Sequence, residues 1–291
     1  MLRPKLTWCV FLLLWAAGLL AVGLSWPAPV TVSSAALTPG DAIPARLGHL
    51  APPTGTAVYS FCAYLPFIST SPDVCAPIEG ATYDSLQVRD WVSATRPVEE
   101  HGDVNLALRS YTPTQAFLGL VDIGGDTDPR APQLAGLFEP ARLPTFTAAY
   151  RVHNWEWGCN CRGDPIDDWD VTLIDVAASP GGPVHVPDSG YTIGQGYEVL
   201  VLYATPERLT LKYTGEDNVI EGYTLHLEGV CTDPNLLALY QALDNAGRHE
   251  LPALRPGQAL GRARGAQFGV AIRDAGAFLD PRSRKDWWHG Y

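Results

Sequence analysis

Short apolar stretches separated by turn residues are most regular in the second half of the chain. They predict strands at 171–177, 196–203, 209–213, 222–227 and 267–273. Most of these strands follow one another without an intervening helix, which favours an antiparallel β-barrel or sandwich over residues 151–291.

One segment of this half has apolar residues at helical spacing, over 233–246. It begins with Asp233 and Pro234, which are favoured at a helix start, and Gly247 follows it, as is typical of a helix end. We therefore expect one helix inserted among the strands.

The first half is less regular and predicts a small β-module over residues 57–150. Its apolar stretches, each bounded by Pro, Gly or Asp, are 58–68, 85–92, 104–108, 115–121 and 146–152. The whole chain is therefore expected to be mainly β.

The N-terminal 26 residues have the pattern of an export signal. Arg3 and Lys5 precede an uncharged apolar run over 6–24. This run is long enough that residues 1–26 serve either as a cleaved signal peptide or as a retained signal anchor. A linker rich in Pro, Ala and Thr follows over 27–56. We expect the remainder to be extracytoplasmic, either secreted or anchored to the membrane and facing outward.

Composition and charge narrow the choice of partners. Hydrophobic residues make up 46% of the 291 residues and charged residues only 18%, so the chain can bury a core. The net charge is −11 and no cluster of Lys and Arg is present. Because phosphate backbones are gathered by positive charge, we expect no nucleic-acid partner.

Cysteine usage fits an oxidising compartment, where thiols are usually bridged. Cys62 and Cys75 close a short loop and are natural partners. Cys159 and Cys161 would point to one face of a strand and bond poorly with each other. Cys231 is therefore expected to pair with one of those two.

A zinc site is the alternative use of these residues. Cys159, Cys161, Cys231 and His226 together offer thiolates and an imidazole, which suit tetrahedral zinc. Their spacing matches no zinc ribbon or finger, and the compartment favours disulfides.

Aromatic and acidic clusters supply further candidates. Trp155 and Trp157 share one face if they lie on a strand, and Trp169 is nearby, so the three indicate either a ligand groove or a core. Three carboxylates within 122–128 and four within 164–170 offer oxygen ligands for calcium, although solvated turns have the same composition.

The carboxyl end predicts one more contact. Arg282 or Arg284 is expected to pair with a carboxylate, while Trp287 and Trp288 pack against the barrel.

The order of motifs over residues 171–281 resembles the lysostaphin-type zinc endopeptidases of bacterial cell walls, whose barrel is called a duplicated hybrid motif. The similar segments are 173–190, Tyr223-Thr-Leu-His226-Leu, Leu254-Arg-Pro-Gly257-Gln-Ala-Leu-Gly261 and Val270-Ala-Ile-Arg273 followed by Asp280-Pro281. The resemblance implies an antiparallel barrel that keeps its groove.

Most of the residues that this family uses for chemistry are replaced. The resemblance places Val171 at the first zinc ligand, and it places Gln267 and Gly269 at a His-x-His pair, so only Asp175 and His226 are retained. A catalytic zinc needs about three protein ligands. Zinc lowers the pKa of the water that it binds, so a chain without the metal lacks the nucleophile for hydrolysis. A site rebuilt with His153 and His185 is the remaining route to metal binding.

The leading hypothesis is an exported, cell-envelope-associated binding or structural protein on a non-catalytic peptidase-like barrel. Its partner would be an envelope polymer or another protein, with the membrane as a further contact if the leader is retained. The alternatives are a zinc-dependent cell-wall metalloendopeptidase with altered ligands and a carbohydrate-binding β-module. No cofactor is expected under the leading hypothesis, and zinc or calcium belongs to the alternatives.

Overall fold

The computed structural model describes residues 73–90 and 97–291. This part of the chain contains fourteen strands, three α-helices and two 3-10 helices, the latter at Val98–Glu100 and Leu134–Leu137. The strands are β1 (Asp84–Gln87), β2 (Tyr111–Pro113), β3 (Phe146–Glu156), β4 (Cys161–Pro165), β5 (Leu173–Ala177), β6 (Pro183–His185), β7 (Val199–Thr205), β8 (Arg208–Lys212), β9 (Tyr223–Glu228), β10 (Val230–Thr232), β11 (Glu250–Leu254), β12 (Ala259–Ala263), β13 (Gln267–Asp274) and β14 (Ala277–Leu279). The helices are α1 (Leu106–Arg109), α2 (Pro234–Asn245) and α3 (Arg284–Trp287).

Most strands belong to one antiparallel sheet with the order β1-β11-β7-β8-β9-β13-β5-β3-β2. The strand β14 pairs with β13, and β4 pairs with β3. A second sheet has the order β10-β12-β6. The mainly β, antiparallel class is therefore confirmed.

Of the two architectures expected, a barrel or a sandwich, the closed barrel is not formed by the described residues. The larger sheet ends at β1 and β2, which do not pair with each other. The strands β6, β10 and β12 hydrogen-bond among themselves instead of joining those edges. The predicted boundary at residue 150 falls inside β3, and β1 from the first half pairs with β11 from the second.

The strand predictions of the second half are confirmed by β5, β7, β8, β9 and β13. In the first half, 146–152 lies in β3, and β1 covers part of 85–92. The predictions at 104–108 and 115–121 are wrong. Asn105 caps α1 by accepting a hydrogen bond from the backbone of Ala107, and Phe117 is 71% exposed in a loop.

Alternation along the central strands gives the larger sheet two different faces. Phe268, Val270 and Ile272 of β13 enter the main core, whereas Ala271 enters a smaller cluster on the opposite face. The strand β9 behaves in the same way, because its leucines enter the main core and its polar residues occupy the opposite face. That second face carries the candidate site.

The helix α2 matches the segment that helical spacing predicts. Asp233 is its N-cap and accepts a hydrogen bond from the backbone of Asn235, with Pro234 in the first turn. Leu236 and Tyr240 are its buried residues.

The carboxyl end packs as expected. Trp287 and Trp288 are 2% and 1% exposed and belong to the main core. Arg282 pairs with the buried Asp280 at 2.6 Å, and Arg284 pairs with Asp122 at 3.0 Å.

The cysteine pairing differs from the expectation. Disulfides join Cys75 to Cys231 and Cys159 to Cys161. The second bond forms because the segment between β3 and β4 is a turn rather than a strand. Cys62, the leader (1–26) and the linker (27–56) lie outside the described residues. Among residues 73–90 and 97–291, no helix is both long and apolar enough to span a bilayer.

Candidate functional site

A cavity of about 790 Å³ opens on the second face of the larger sheet. Its volume lies within the range of about 300–1,000 Å³ typical of small-molecule sites. Its walls combine aromatic, aliphatic, acidic and basic side chains. The lining residues used below are His101, Asp103, Arg109, Trp155, Trp157, Asp217, Ile220, Arg248, Arg273 and Phe278.

The hairpin of β3 and β4 supplies two tryptophans to one wall. Trp155 lies near the end of β3 and Trp157 just beyond it, with ring centroids 6.4 Å apart and planes nearly perpendicular. Trp157 is 52% exposed, and its ring lies 5.2 Å from that of His101. A Cβ on Gly102 would lie 2.5 Å from the indole of Trp155, so this ring packs directly on the Gly102 backbone. The wall therefore presents one fixed and one accessible indole.

A network of two arginines and one aspartate lies beside these rings. Asp103 Oδ1 accepts hydrogen bonds from Arg109 at 2.6 Å and from Arg273 at 2.9 Å. Both guanidinium groups also donate to backbone carbonyls, Arg109 to Gly102 and His153, and Arg273 to Asp103 and Gly276. These bonds hold both cations in fixed positions at the cavity.

Electrostatics within this network favour the charged carboxylate. Burial raises the pKa of Asp103, but the charges and hydrogen bonds of Arg273 and Arg109 outweigh it and hold the pKa below its ordinary value of 3.8. Burial also lowers the pKa of Arg273, which Asp103 only partly offsets. The two arginines share one carboxylate, so this part of the cavity carries excess positive charge.

Phe278 of β14 forms the base of the network. The guanidinium carbons of Arg109 and Arg273 lie 5.4 and 4.6 Å from its ring centroid. His226 stacks on the same ring, with centroids 5.9 Å apart and planes at 25°. The cations are therefore supported by an aromatic face as well as by Asp103.

Arg248 holds a further part of the cavity lining in place. Its guanidinium pairs with both carboxylate oxygens of Asp217 at 2.7 Å and with Asp244 of α2 at 2.5 Å. Asp217 lies in the loop between β8 and β9, so these contacts tie that loop to α2. Ile220 of this loop is 70% exposed and lines the cavity. The cavity lining thus includes two exposed apolar groups, Ile220 and Trp157.

His226, retained from the resemblance, is a buried neutral group rather than a lining residue. Thr210 Oγ1 donates to the carbonyl of Val104, so it accepts from His226 Nδ1 at 3.0 Å. Its Nε2 has no hydrogen-bond partner among the described residues. Burial, together with the nearby charge of Arg273, lowers the pKa of His226 well below 6.5.

Asp175 lies elsewhere on the same face. Its Oδ2 accepts from Gln267 Nε2 at 2.6 Å and from the Tyr150 hydroxyl at 3.2 Å. Burial raises the pKa of Asp175, and these two hydrogen bonds partly oppose the rise. Gly269 is paired with Asp175 across β13 and β5.

The sulfur-rich zinc cluster does not assemble. Cys159 and Cys161 are bonded to each other, while Cys231 is bonded to Cys75 and lies on the smaller sheet. Neither these residues nor any other group of three or more His, Cys, Asp or Glu comes together within the described ranges. The zinc alternative for Cys159, Cys161, Cys231 and His226 is therefore wrong for the described residues.

The other metal candidates lie apart. His153 contacts Thr112 Oγ1 at 2.7 Å and the carbonyl of Gly163 at 2.8 Å, whereas His185 pairs with Glu139 at 3.2 Å. They therefore do not join Asp175 or His226.

The two aspartate-rich segments have different positions. In the loop 122–128, Asp122 pairs with Arg284 and Asp128 accepts from the Tyr223 hydroxyl at 2.8 Å. Asp168, from the segment 164–170, lines the cavity, whereas its neighbour Trp169 does not.

Sequence reasoning missed most of the polar network. Arg109 and Arg273 each end a short apolar run, at 106–109 and 270–273, and an arginine in such a run is a usable signal of a buried cation. No sequence pattern marks Asp103 itself. One of its partners, Arg109, is six positions away, but the other, Arg273, is 170 positions away, so no local pattern joins the three residues.

No protein-family model, no curated protein and no solved structure matches this chain.

Proposed function

We propose that this protein is an exported, non-catalytic binding protein of the cell envelope, and that its cavity takes a glycan. The observation that carries the proposal is the cavity itself, in which Trp155 and Trp157 stand beside the fixed network of Arg109, Asp103 and Arg273. The export signal expected over residues 1–26 supports the location.

The aromatic wall suits the apolar face of a sugar ring. A pyranose carries its C–H groups on one face and its hydroxyls around the edge, so it needs both an aromatic surface and polar partners. Trp157 offers an indole that is half exposed, and Ile220 offers further exposed apolar area in the lining of the same cavity. Stacking on such a surface buries the apolar face of the sugar and fixes the orientation of its ring.

The polar groups suit the edge of the same ring. Arg109 and Arg273 are held by backbone carbonyls and by Asp103 before any ligand arrives. Groups fixed in advance lose little conformational entropy on binding. Hydroxyls can both donate and accept, so they can use the arginine N–H groups and the carboxylate of Asp168 together.

A peptidase-like origin of the sheet remains part of the proposal. Asp175, Gln267 and His226, which the lysostaphin-type resemblance aligns with site residues, share one face across β5, β13 and β9. The residues needed for zinc are replaced, which supports a role in binding rather than hydrolysis.

The test is binding of the full chain to purified insoluble peptidoglycan and to a glycan array, with Trp157→Ala beside the wild type. We expect a bound glycan whose affinity falls at least about tenfold in Trp157→Ala, equivalent to roughly 1.4 kcal/mol.

Trp169→Ala is the matched control, because Trp169 neighbours the site in sequence but does not line the cavity. Its affinity should stay within about twofold of the wild type. Equal loss in both variants, or no binding of any glycan by the wild type, would contradict the proposal.

A further inference from the structure

The turn between β3 and β4 contains a disulfide between cysteines only two positions apart. Cys159 and Cys161 have Cα atoms 5.2 Å apart, and both residues are exposed. Cys161 is paired with Glu156 at the end of the hairpin ladder. The bond therefore closes the tip of the hairpin that carries the two cavity tryptophans.

The residue between the cysteines is tied directly to the cavity wall. Asn160 has φ +52°, in the left-handed region that asparagine tolerates better than most residues. Its side-chain oxygen accepts a hydrogen bond from Trp155 Nε1 at 3.3 Å. The disulfide, which flanks Asn160 on both sides, constrains the backbone that places this acceptor.

The two disulfides of the described residues differ in what they hold together. Cys75–Cys231 spans 156 positions, whereas Cys159–Cys161 spans two. Loop-closure entropy grows with loop length, so the shorter bridge contributes far less to global stability. Reduction of Cys159–Cys161 is therefore compatible with an intact fold. Cys231 is 3% exposed, which shields the longer bridge from thiols.

We propose that Cys159–Cys161 is a redox-active site that exchanges with an exported dithiol and so controls the tryptophan wall of the cavity. A thiolate of the dithiol attacks one of the two exposed sulfurs, the protein S–S bond breaks, and the departing cysteine leaves as a thiolate that takes up a proton. The second thiol of the dithiol then displaces the remaining cysteine from the mixed disulfide. Two electrons and two protons pass to the protein, and the dithiol leaves as a disulfide.

The consequence for the site follows from the link through Asn160. Once the bridge is open, the turn loses its shortest constraint, and the acceptor for Trp155 is no longer fixed. The indole of Trp155 and its neighbour Trp157 then change environment. The effect on glycan affinity and the location of the dithiol outside the cytoplasm rest on the proposed function, whereas the exchange chemistry and the tryptophan response do not.

The experiment titrates the full-length oxidised protein with dithiothreitol under native conditions. Free thiols are trapped with maleimide and mapped by mass spectrometry, while tryptophan fluorescence is followed in parallel. We expect Cys159 and Cys161 to become labelled at least tenfold faster than Cys75 and Cys231, with unchanged far-UV circular dichroism. The fluorescence change should coincide with that labelling.

Two variants assign the signal. Cys159→Ser/Cys161→Ser should have the fluorescence of the reduced wild type and should not respond to dithiothreitol. Trp155→Phe should lose most of the response, whereas Trp169→Phe should keep it. Equal labelling rates for both disulfides, or selective labelling without a fluorescence change, would overturn the inference.

Glycan binding separates this inference from the proposed function. Selective reduction with a fluorescence change in a protein that binds no glycan would refute the proposed function and leave the redox site standing. Glycan binding that depends on Trp157, in a protein whose two disulfides are reduced at equal rates, would refute the redox site and leave the proposed function standing.

Discussion

Gln267 donates its side-chain amide to Asp175 across 2.6 Å, at two positions that the lysostaphin-type resemblance assigns to a zinc-site histidine and a zinc ligand. The Tyr150 hydroxyl donates to the same carboxylate oxygen. The carboxylate is thus occupied by neutral hydrogen-bond donors. An amide N–H cannot supply the lone pair that an imidazole offers to a metal.

We therefore predict that the protein does not hydrolyse peptidoglycan in the presence of added zinc. Wild type, Asp175→Ala and His226→Ala should all be inactive in a zymogram and in a labelled-muropeptide assay. The two substitutions should instead lower the melting temperature, because Asp175→Ala removes the acceptor of the partly buried Tyr150 hydroxyl and His226→Ala leaves a gap at a buried position. Zinc-dependent cleavage by the wild type that vanishes in both variants would refute this prediction.

A second prediction concerns Gly269, which lies between Asp175 and Glu228. A Cβ at Gly269 would lie 3.2 Å from Asp175 Oδ1 and 3.3 Å from Cβ of Glu228. Cβ of Glu228 is fixed to the backbone of the paired strand β9, and the Asp175 carboxylate is held by Gln267 and Tyr150, so neither neighbour can move away freely. Gly269→Ala should therefore destabilise the fold by about 1 kcal/mol. Urea denaturation measures the loss.

Gly124→Ala is the matched control, because a Cβ there would meet nothing within 4 Å. It should change the free energy of unfolding by less than about 0.5 kcal/mol. Equal effects of the two substitutions would mean that crowding at Gly269 is not the cause.

The sequence predicts those parts of the fold in which local pattern and tertiary packing agree. The strands β5, β7, β8, β9 and β13 are apolar runs between clear turn signals, and α2 has both its spacing and its cap. By contrast, β11 contains Pro252, which argues against a strand, yet it pairs with β1 and β7. The stretch at 104–108 is too short to show a period, so the cap at Asn105 decides its structure.

The candidate site is only partly predictable for a related reason. The alternation of Trp155 and Trp157 in the sequence predicts that they share one face, and both line the cavity. The contact of Asp103 with Arg273 joins residues 170 positions apart, and no local pattern encodes it. The sequence does not predict the bond between Cys159 and Cys161, because strand geometry separates their sulfurs whereas Asn160, with φ +52°, turns the chain between them.

A third prediction concerns the bridge between Cys75 and Cys231. It ties the segment before β1 to β10, at a sequence separation of 156. In the chain-entropy account, removing a bridge that closes a loop of this size lowers the free energy of unfolding by about 5 kcal/mol. Cys75→Ser/Cys231→Ser should therefore lower the urea midpoint strongly.

The comparison is Cys159→Ser/Cys161→Ser, for which the same account gives only about 1.6 kcal/mol. The segment before β1 is also held by two hydrogen bonds: the backbone N–H of Ile78 donates to Asp233, and the Arg262 side chain donates to the carbonyl of Ala76. We therefore expect the larger loss of stability without detachment of β1. Similar losses in the two double variants would show that loop length does not govern these bridges.

The last prediction is a pH dependence caused by Lys212. This residue is fully buried on β8, and its ammonium lies 3.5 Å from the carbonyl of Gly222. Burial lowers its pKa from 10.5 to about 8, although the nearby carboxylates of Glu216 and Glu221 oppose the shift. Below pH 8 the lysine is charged in both the folded and the unfolded chain, so the cost of burying the charge is fully present. Between about pH 8 and 10.5 the folded protein gives up the proton while the unfolded chain keeps it, so the stability rises with pH.

Lys212→Met removes the charge and keeps much of the volume. It should be more stable than the wild type by up to about 3 kcal/mol at pH 7, and the difference should shrink towards zero by about pH 10.5. Urea denaturation of both proteins from pH 6 to 10.5 measures that difference, and other titrating groups cancel in it. A difference that stays constant with pH would show that Lys212 is not the group responsible.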